Sequence, residues 1–415
     1  MIPGVARVLL LLPSGTYKAP DFLAAAARLD VEVVVASDTE QTLADAMGDR
    51  ALVIDLADPA GSAAVIADLA ARRALDAVVA VDDQGVFVAA LAAERLGLPA
   101  NRPDAVARTR DKAAMRTALA AQGAVPELRQ PEFRIVGPGD APEKAAGEVG
   151  WPVVVKPVSL SASRGVIRAD SPAEAEAAAA RVRAILDADG HAADEPLLVE
   201  QYVPGEEVAV EALLRTGTLE VLAVFDKPDP LTGPYFEETL YVTPSRLPAE
   251  VQDAVAAAVA GAASAIGLTE GPIHAELRID PDGRPWILEL AARTIGGLCA
   301  RTLRFAAGVT LEELVLRHAL GLPIDPRRET QAAGVMMLPI PRAGRLVVVH
   351  GQDDARAVPG ITALEISIAP GRPVQPLPEG DRYLGFLFAR AASPTEVEDA
   401  LRTAHARLEV VIDPA

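Results

Sequence analysis

The stretch His274-Ala-Glu276-Leu-Arg278-Ile-Asp-Pro-Asp-Gly283-Arg-Pro-Trp-Ile-Leu-Glu289-Leu-Ala-Ala-Arg293 decides the fold. Polar and apolar residues alternate on both sides of a Pro-Asp-Gly turn, which predicts a β-hairpin. A turn at Pro281 to Arg284 places Glu276 directly opposite Glu289, with Cβ atoms about 4.5–5.5 Å apart. In this register one apolar face carries Ala275, Leu277, Ile279, Trp286, Leu288 and Leu290.

Two facing carboxylates repel each other unless a proton or a cation lies between them. Oxygen ligands of this kind suit Mg²⁺, which keeps part of its water shell and takes further ligands from substrate phosphates. Arg293 follows Glu289 closely and adds a permanent cation that can bind phosphate or carboxylate in bidentate fashion. The hairpin alone therefore predicts either a magnesium and phosphate site or a solvated face with ordinary charges.

Composition limits the class of protein. A chain of 415 residues, half of them hydrophobic, predicts two to four domains with large cores. The net charge of −19 argues against duplex nucleic acid and anionic membrane surfaces as partners. The sequence contains no run of about 18 uncharged apolar residues, so no membrane-spanning helix is predicted. The single cysteine, Cys299, excludes an intramolecular disulfide, fits a reducing cytosol and is expected to be a small buried residue.

Lysine is rare, since only Lys18, Lys112, Lys144, Lys156 and Lys227 occur among 39 basic residues. A lysine inside an apolar strand is therefore a stronger functional candidate than usual, because arginine does not reproduce its compact charge. Lys156 is the second-last residue of the strand Pro152–Pro157, just before a loop rich in serine, alanine and glycine. Such a loop lets backbone N–H groups approach a polyphosphate. The alternative is an edge-strand lysine beside an ordinary turn.

The other patterns place these residues in an α/β chain. The first hundred residues alternate strand and helix patterns, which predicts a parallel sheet with helices on its faces. One helical stretch runs from Asn101 through Lys112 to Ala121. The strand Leu197–Val203 ends at a Pro-Gly pair, where backbone groups could read an adenine edge and the glutamates that follow could accept from ribose hydroxyls. After about Pro326, short strands and one helix predict a small α+β domain.

Several other chemistries are disfavoured by missing motifs. The sequence has no G-x-G-x-x-G dinucleotide loop, no P-loop, no H-R-D kinase loop, no H-E-x-x-H or paired-cysteine zinc motif and no G-x-S-x-G.

Taken in order, these segments resemble the ATP-grasp superfamily of carboxylate–amine ligases, and within it the L-amino acid ligase (dipeptide synthetase) group. The resemblance extends from Ser14–Tyr17 to Gly296-Gly297 and includes a Pro234–Glu238 segment. It implies an ATP-grasp fold that combines α/β and α+β parts. These parts are an N-terminal βαβ domain (1–108), an ATP-grasp domain (109–326) with a mobile lid (about 124–198) and a central antiparallel sheet (199–326), and a C-terminal α+β domain (327–415).

The resemblance also implies residue roles. The ATP-binding residues are Lys112, Lys156, Ser161, Ser163, Gly165, Glu200, Gln201, Val203 and Glu207, with Glu200 and Val203 at adenine and Glu207 at ribose. Glu276 and Glu289 bind two Mg²⁺ ions, which Mn²⁺ could replace. Lys156 and Arg293 are catalytic, and Arg293 stabilises an acyl phosphate. The substrate-binding residues are Glu238, Tyr241, His274, Arg293, Gly296 and Gly297, with Tyr235 as a further wall and Lys227 as a charge on a mobile loop.

We therefore expect a cytoplasmic, ATP- and Mg²⁺-dependent ligase that joins a small carboxylate, such as an amino acid, to a small amine, and that forms a homodimer without nucleic acid or membrane partners. The alternatives are an ATP-grasp ligase of another pathway, such as purine-type formyl or carboxyl transfer, and a nucleotide-binding module without turnover.

Overall fold

The first layer of the protein is a parallel sheet. The computed structural model describes residues 5–41, 44–122 and 128–414. Its first four strands are β1 (Arg7–Leu11), β2 (Glu32–Ser37), β3 (Ala51–Val53) and β4 (Ala77–Ala80), arranged β3-β2-β1-β4. The helices around it are α1 (Ala19–Arg28), α2 (Ala44–Met47), α3 (Pro59–Arg72) and α4 (Val86–Leu96). After Arg7, strand β1 is apolar because helices cover both faces of the sheet: Leu10 packs on one side and Leu9 on the other.

The helical stretch predicted between Asn101 and Ala121 is two helices, α5 (Pro103–Arg110) and α6 (Lys112–Ala121). Asp111 interrupts them with an extended backbone, and its side chain accepts hydrogen bonds from the N–H groups of Ala113 and Ala114 at 2.8 and 2.9 Å. This N-cap satisfies free donors at the start of α6. It also fixes Lys112 at the first position of the helix.

A second sheet and two helices form a separate layer with its own core. Its elements are β5 (Phe133–Val136), α7 (Pro142–Val149), β6 (Val153–Pro157), β7 (Ile167–Ala169), α8 (Pro172–Ala188) and β8 (Leu197–Gln201). The strands pair antiparallel in the order β5-β8-β6-β7. We call residues 128–198 of this layer the lid; the boundary expected near residue 124 lies outside the described residues.

The largest sheet has eight antiparallel strands, five from the central part of the chain and three from the C-terminal part. The elements of the central part are β9 (Glu206–Arg215), β10 (Thr218–Lys227), β11 (Leu240–Thr243), α9 (Ala249–Ile266), β12 (Gly271–Ile279), β13 (Pro285–Ala291) and α10 (Leu311–Ala319). By length and composition alone, α9 could cross a membrane. In this fold, however, Val255, Val259 and Ala262 pack in the core beneath the sheet, which accounts for its apolar character.

The C-terminal residues extend this sheet and add a small one. Their elements are β14 (Ala332–Leu338), β15 (Gly344–His350), α11 (Gln352–Arg356), β16 (Ile361–Ile366), β17 (Pro373–Val374), β18 (Gly385–Ala391), α12 (Pro394–His405) and β19 (Glu409–Asp413). The strand order of the large sheet is β13-β12-β9-β10-β11-β14-β18-β16, so β14 pairs with β11 of the central part. Strands β17, β15 and β19 form a separate three-stranded sheet. The C-terminal α+β part therefore shares a continuous sheet with the centre, and its segments can reach the same cavity.

Candidate active site

The predicted hairpin is formed by β12 and β13, and Glu276 pairs with Glu289 as expected. One detail of the prediction is wrong. A bulge after Glu276 pairs Leu277 with Ile287, so Ile287 faces the core and is fully buried, while Trp286 and Leu288 lie on the opposite face and are half-buried. The bulge keeps the two carboxylates opposite each other although the strands change register beside them.

Both carboxylates face a cavity of about 480 Å³ bounded by all three parts of the chain. Most of the predicted site residues line it, namely Lys112, Lys156, Ser161, Ser163, Glu200, Gln201, Val203, Glu207, Glu238, Tyr241, His274, Glu276, Glu289, Arg293, Gly296 and Gly297. Gly165, which was expected to bind ATP, and Tyr235, which was expected to be a substrate wall, do not line it. The N–H of Gly165 donates to the carbonyl of Pro378 at 3.0 Å, and the Tyr235 hydroxyl contacts Arg181, so both lie at the contact between the lid and the rest of the chain.

The Lys227 ammonium lies at the centre of the acidic side of the cavity. Its Nζ is 2.8 Å from Glu207 Oε1, in direct contact with Glu238 and 3.6 Å from Glu276 Oε2. Although burial lowers it, contact with these carboxylates holds the pKa of Lys227 well above its usual value. The prediction of a mobile-loop lysine is wrong, because Lys227 is the buried last residue of β10.

Oxygen atoms of Glu207, Glu238 and Glu276 lie within 4.8 Å of one another, which is close enough for a metal site. The Lys227 ammonium already supplies one positive charge to this cluster. Burial, followed by the neighbouring Glu276, raises the pKa of Glu238 to about 7. The carboxylate pair of Glu276 and Glu289 is a better place for a cation, because each keeps about a quarter of its side chain exposed toward the cavity (22% and 26%).

Lys112 lies beside the other carboxylate of the pair. Its Nζ is 3.4 Å from Glu289 Oε2 and donates to the carbonyl of Leu160 at 2.6 Å. The side chain is buried rather than solvated, because α6 begins against the end of β6. Lys112 therefore joins the hairpin to the serine-rich loop of the lid.

Lys156 is held by a buried ion-pair network. Its Nζ is 2.6 Å from Glu200 Oε2, and Arg116 Nε is 2.6 Å from Glu200 Oε1. Burial raises the pKa of Glu200, but the charges of Arg116 and Lys156 outweigh it and lower that pKa to about 2. Arg116 also donates to the carbonyls of Ile287 and Leu288 at 3.0 and 2.7 Å, so the network ties the lid strands to the hairpin. Both Glu200 oxygens are occupied by cations, and its contact with adenine stays a prediction.

Between Glu207 and the lid, Arg278 organises a second wall. Arg278 Nε is 3.0 Å from Glu207 Oε2, and its Nη1 donates to the Val203 carbonyl at 2.9 Å. The guanidinium lies over the rings of Tyr202 and Phe236, at 4.9 and 5.6 Å from the ring centres. Flat aromatic and guanidinium surfaces suit a planar base. Arg278 is visible in the hairpin sequence, but its inward orientation depends on pairing between β12 and β9.

The N-terminal sheet contributes charges that the sequence did not point to. Arg293 Nε is 3.5 Å from Asp83 Oδ1, and its Nη1 donates to the carbonyl of Thr294 at 3.0 Å. The buried Lys18 donates to the Thr294 hydroxyl at 3.1 Å and lies 3.6 Å from Asp82 Oδ1. Lys18 and the two aspartates therefore fix the segment that carries Arg293. Lysine rarity was the one sequence signal that could have singled out Lys18.

The part of the cavity beyond Arg293 is more apolar. Its wall includes Tyr17, Tyr241, Ile295, Cys299, Met337 and Tyr383. Cys299 is buried as expected, its Sγ is 3.4 Å from Met337 Sδ, and burial raises the pKa of its thiol well above the usual value. A Cβ added at Gly296 would meet nothing within 4 Å, whereas a Cβ at Gly297 would approach the Phe386 ring to 2.8 Å at a φ of +56°. Gly296 faces open space, and Gly297 is a packing position.

Three models of protein families match this chain. A model of the ATP-grasp N-terminal domain matches residues 23–100, a model of the ATP-grasp domain matches residues 149–302, and a model of the L-amino acid ligase C-terminal domain 2 matches residues 336–413. The chain belongs to the ATP-grasp superfamily. The predicted ATP-grasp fold is confirmed, and the C-terminal part is of the L-amino acid ligase type.

Related proteins of known name include amino-acid ligases. The chain is 33% identical to carnosine synthase 1 of Gallus gallus over 279 residues, which are 63% of this chain and 30% of that protein. It is 26% identical to alanine–anticapsin ligase of Bacillus subtilis (strain 168) over 257 residues, 58% of this chain and 53% of that protein. The chain thus spans about half, or less, of the length of these two relatives.

Two solved structures share the fold along nearly the whole chain. The L-amino acid ligase of Bacillus licheniformis has a TM-score of 0.79 and 25% identity, with 98% of this chain and 99% of that chain covered. The N5-carboxyaminoimidazole ribonucleotide synthetase of Thermotoga maritima has a TM-score of 0.72 and 17% identity, with 99% and 100% covered. The second likeness concerns the fold alone.

Proposed function

We propose that this ATP-grasp protein is a ligase that phosphorylates the carboxylate of an amino acid with ATP and joins the resulting acyl group to an amine, releasing ADP and phosphate. The observation that carries the proposal is the arrangement around the hairpin. The facing Glu276 and Glu289 lie between the lysines beneath the lid and Arg293, which adjoins the apolar pocket.

The carboxylate pair fits Mg²⁺. Both donors are oxygen, they are register partners, and they face the cavity from a rigid hairpin. When bound there, Mg²⁺ would neutralise the charge of the transferring phosphoryl group. Ala291 stands two residues beyond Glu289, so this strand offers no further polar ligand at that position.

The chain's own cations meet the remaining charge. Lys156 and Lys112 lie beneath the loop of residues 159–165, where the β- and γ-phosphates of ATP would be held. Arg293 faces the place where the acyl phosphate forms, and its planar guanidinium can bind two oxygens at once. A carboxylate is a poor electrophile and becomes reactive only once phosphorylated, so positioned cations in a closed site supply most of the catalysis. The lid would also exclude water, which otherwise hydrolyses the intermediate.

The names of the related proteins support amino acids as the substrates of this chain. The C-terminal domain is of the L-amino acid ligase type, and the names of two relatives describe carnosine synthesis and the ligation of alanine. The apolar wall formed by Tyr17, Met337 and Tyr383 suits an uncharged side chain on one substrate.

The proposal is tested by incubating the protein with ATP, Mg²⁺ and pairs of amino acids, while ADP release and product mass are followed together. We expect ADP and a dipeptide mass in equal amounts for some pairs. ADP formed only with bicarbonate or formate and an amine would favour the purine-type alternative. Tight ATP binding without ADP from any carboxylate and amine would favour a binding module.

A further inference from the structure

A short C-terminal segment between β17 and β18 contacts the lid. The carbonyl of Pro378 accepts a hydrogen bond from the N–H of Gly165 at 3.0 Å, and the carbonyl of Glu379 accepts one from Arg164 Nε at 3.0 Å. Gly165 and Arg164 belong to the loop of residues 159–165 that carries Ser161 and Ser163 into the cavity. Two consecutive C-terminal carbonyls therefore fix the end of the phosphate-facing loop.

The side chain of Glu379 makes the same contact stronger. Its two oxygens are 2.6 Å from Arg181 Nε and 3.1 Å from Arg181 Nη2, which is a bidentate ion pair. Arg181 lies on α8 of the lid, and its guanidinium also lies 5.1 Å from the centre of the Tyr235 ring. Hydrogen bonding and the nearby charge of Arg181 lower the pKa of Glu379, so the pair is charged at neutral pH.

The same segment continues directly into the cavity wall. Asp381, Arg382 and Tyr383 follow Glu379 closely in the chain and line the cavity. A substrate that moves this wall would move the carbonyls that hold the loop, because only one residue separates Glu379 from Asp381.

We infer that Glu379 is a positioning residue for phosphoryl transfer, and that through Arg181 it holds the loop of residues 159–165 in its closed position over the nucleotide. The inference rests on the proposed function. The pair is well suited to a reversible contact, because the Arg181 and Glu379 side chains are 42% and 34% exposed. Exposed ion pairs are weak, so this one would favour closure without preventing release of ADP.

The lid has a second anchor that does not involve Glu379. The N–H of Arg168 donates to the carbonyl of Pro234 at 2.8 Å, and Arg168 Nη1 donates to the carbonyl of Thr232 at 2.8 Å. Loss of Glu379 is therefore expected to loosen the loop and leave strand β7 in place.

Amide hydrogen exchange of the nucleotide-free protein tests whether Glu379 holds the loop, and it needs no enzymatic assay. In Glu379→Ala and Arg181→Glu, amides of residues 161–166 should exchange roughly two- to five-fold faster, as expected for an exposed ion pair. Amides of β7 and of the N-terminal sheet should be unchanged, which also shows that the variants fold. Unchanged exchange in residues 161–166 would overturn the inference.

The double variant Arg181→Glu with Glu379→Arg restores an ion pair of reversed charge. It shows whether faster exchange in the single variants comes from loss of the ion pair or from any change to this surface. It should return exchange in the loop to within twofold of the original protein, and an exchange rate like that of the single variants would contradict the role of the pair. The matched control is Arg134→Glu, because Arg134 forms a somewhat more exposed pair with Glu148 inside the lid, at 45% and 49% exposure. This control should not alter the loop.

Turnover supplies the catalytic readout. Glu379→Ala should raise the KM for ATP and the ratio of ADP to amide product, each about two- to five-fold, because a loosened loop admits water. The double variant should restore both values, and failure to do so would count against positioning. If the protein forms no amide at all, the proposed function fails, while the exchange experiment still decides whether Glu379 holds the loop.

Discussion

Glu200→Gln is the substitution whose effect follows most directly from the geometry. The Glu200 carboxylate is almost completely buried between Arg116 Nε and Lys156 Nζ, each 2.6 Å from one of its oxygens. An amide has nearly the same shape but carries no charge, so two buried cations would be left beside each other. Removing one partner of a buried ion network costs about 3–5 kcal/mol.

The pKa of Glu200 gives a second estimate of how much stability the Glu200→Gln variant loses. Its decrease from the usual 4.5 to about 2 corresponds to roughly 3 kcal/mol in favour of the charged carboxylate. Because this pKa is lower in the folded state than in the unfolded state, the stabilisation is fully present above about pH 4.5 and is lost as the pH falls toward about 2. The two values agree on a loss of about 3 kcal/mol at pH 7.

The measurement is denaturant unfolding followed by fluorescence. The chain has two tryptophans, and a Trp151→Phe background leaves Trp286, on the hairpin next to the Arg116 contacts, as the reporter. In this background Glu200→Gln should be less stable at pH 7 and should lose less stability than the parent between pH 5 and pH 3. Glu148→Gln, which removes an exposed pair, should cost less than about 1 kcal/mol. A Glu200→Gln loss below about 1 kcal/mol, or an unchanged acid dependence, would refute the reasoning.

Three further substitutions test the site, and a fourth tests the packing beside it. Glu289→Gln should lower kcat about a thousandfold with the fold retained, because a metal ligand is lost at constant volume; near-normal kcat at limiting Mg²⁺ would remove the hairpin from the metal site. Lys156→Arg should weaken ATP binding in calorimetry, because a planar guanidinium does not fit the buried position beside Glu200; unchanged affinity would make Lys156 structural. Gly296→Val should reduce kcat/KM for bulky substrates far more than for glycine, because it points into open space; equal losses would place Gly296 away from the substrate side chain. Gly297→Trp should instead destabilise the fold through Phe386, which melting temperature would show.

Local patterns predicted much of this protein. Alternation and a Pro-Asp-Gly turn were enough to pair Glu276 with Glu289, because a hairpin register depends on neighbouring residues. The same pattern does not predict the bulge beside Glu276. Trp286, Ile287 and Leu288 are all apolar, so the sequence does not show which of them faces the core. Alternation therefore places Trp286 and Leu288 on the wrong face.

Contacts between segments that are distant in the chain are harder to predict from the sequence. Lys18 meets Thr294 and Asp83 meets Arg293 only because the segments after β1 and β4 lie against the segment that follows β13, and no local motif marks either residue. The structure shows Lys227 as a buried strand residue because β10 pairs with β9 as far as Glu207, beyond the apolar residues that marked the strand. The sharing of one sheet by the central and C-terminal strands likewise depends on the pairing of β11 with β14.

Formation of an acyl phosphate is the central claim, and isotope transfer tests it most directly. An amino acid labelled with ¹⁸O in its carboxylate is supplied with ATP, Mg²⁺ and an amine that gives product, and the released phosphate is analysed by mass spectrometry. If the carboxylate attacks the γ-phosphate, one ¹⁸O atom moves into inorganic phosphate for each amide formed. Unlabelled phosphate accompanying labelled amide formation, or label found in AMP, would contradict the account.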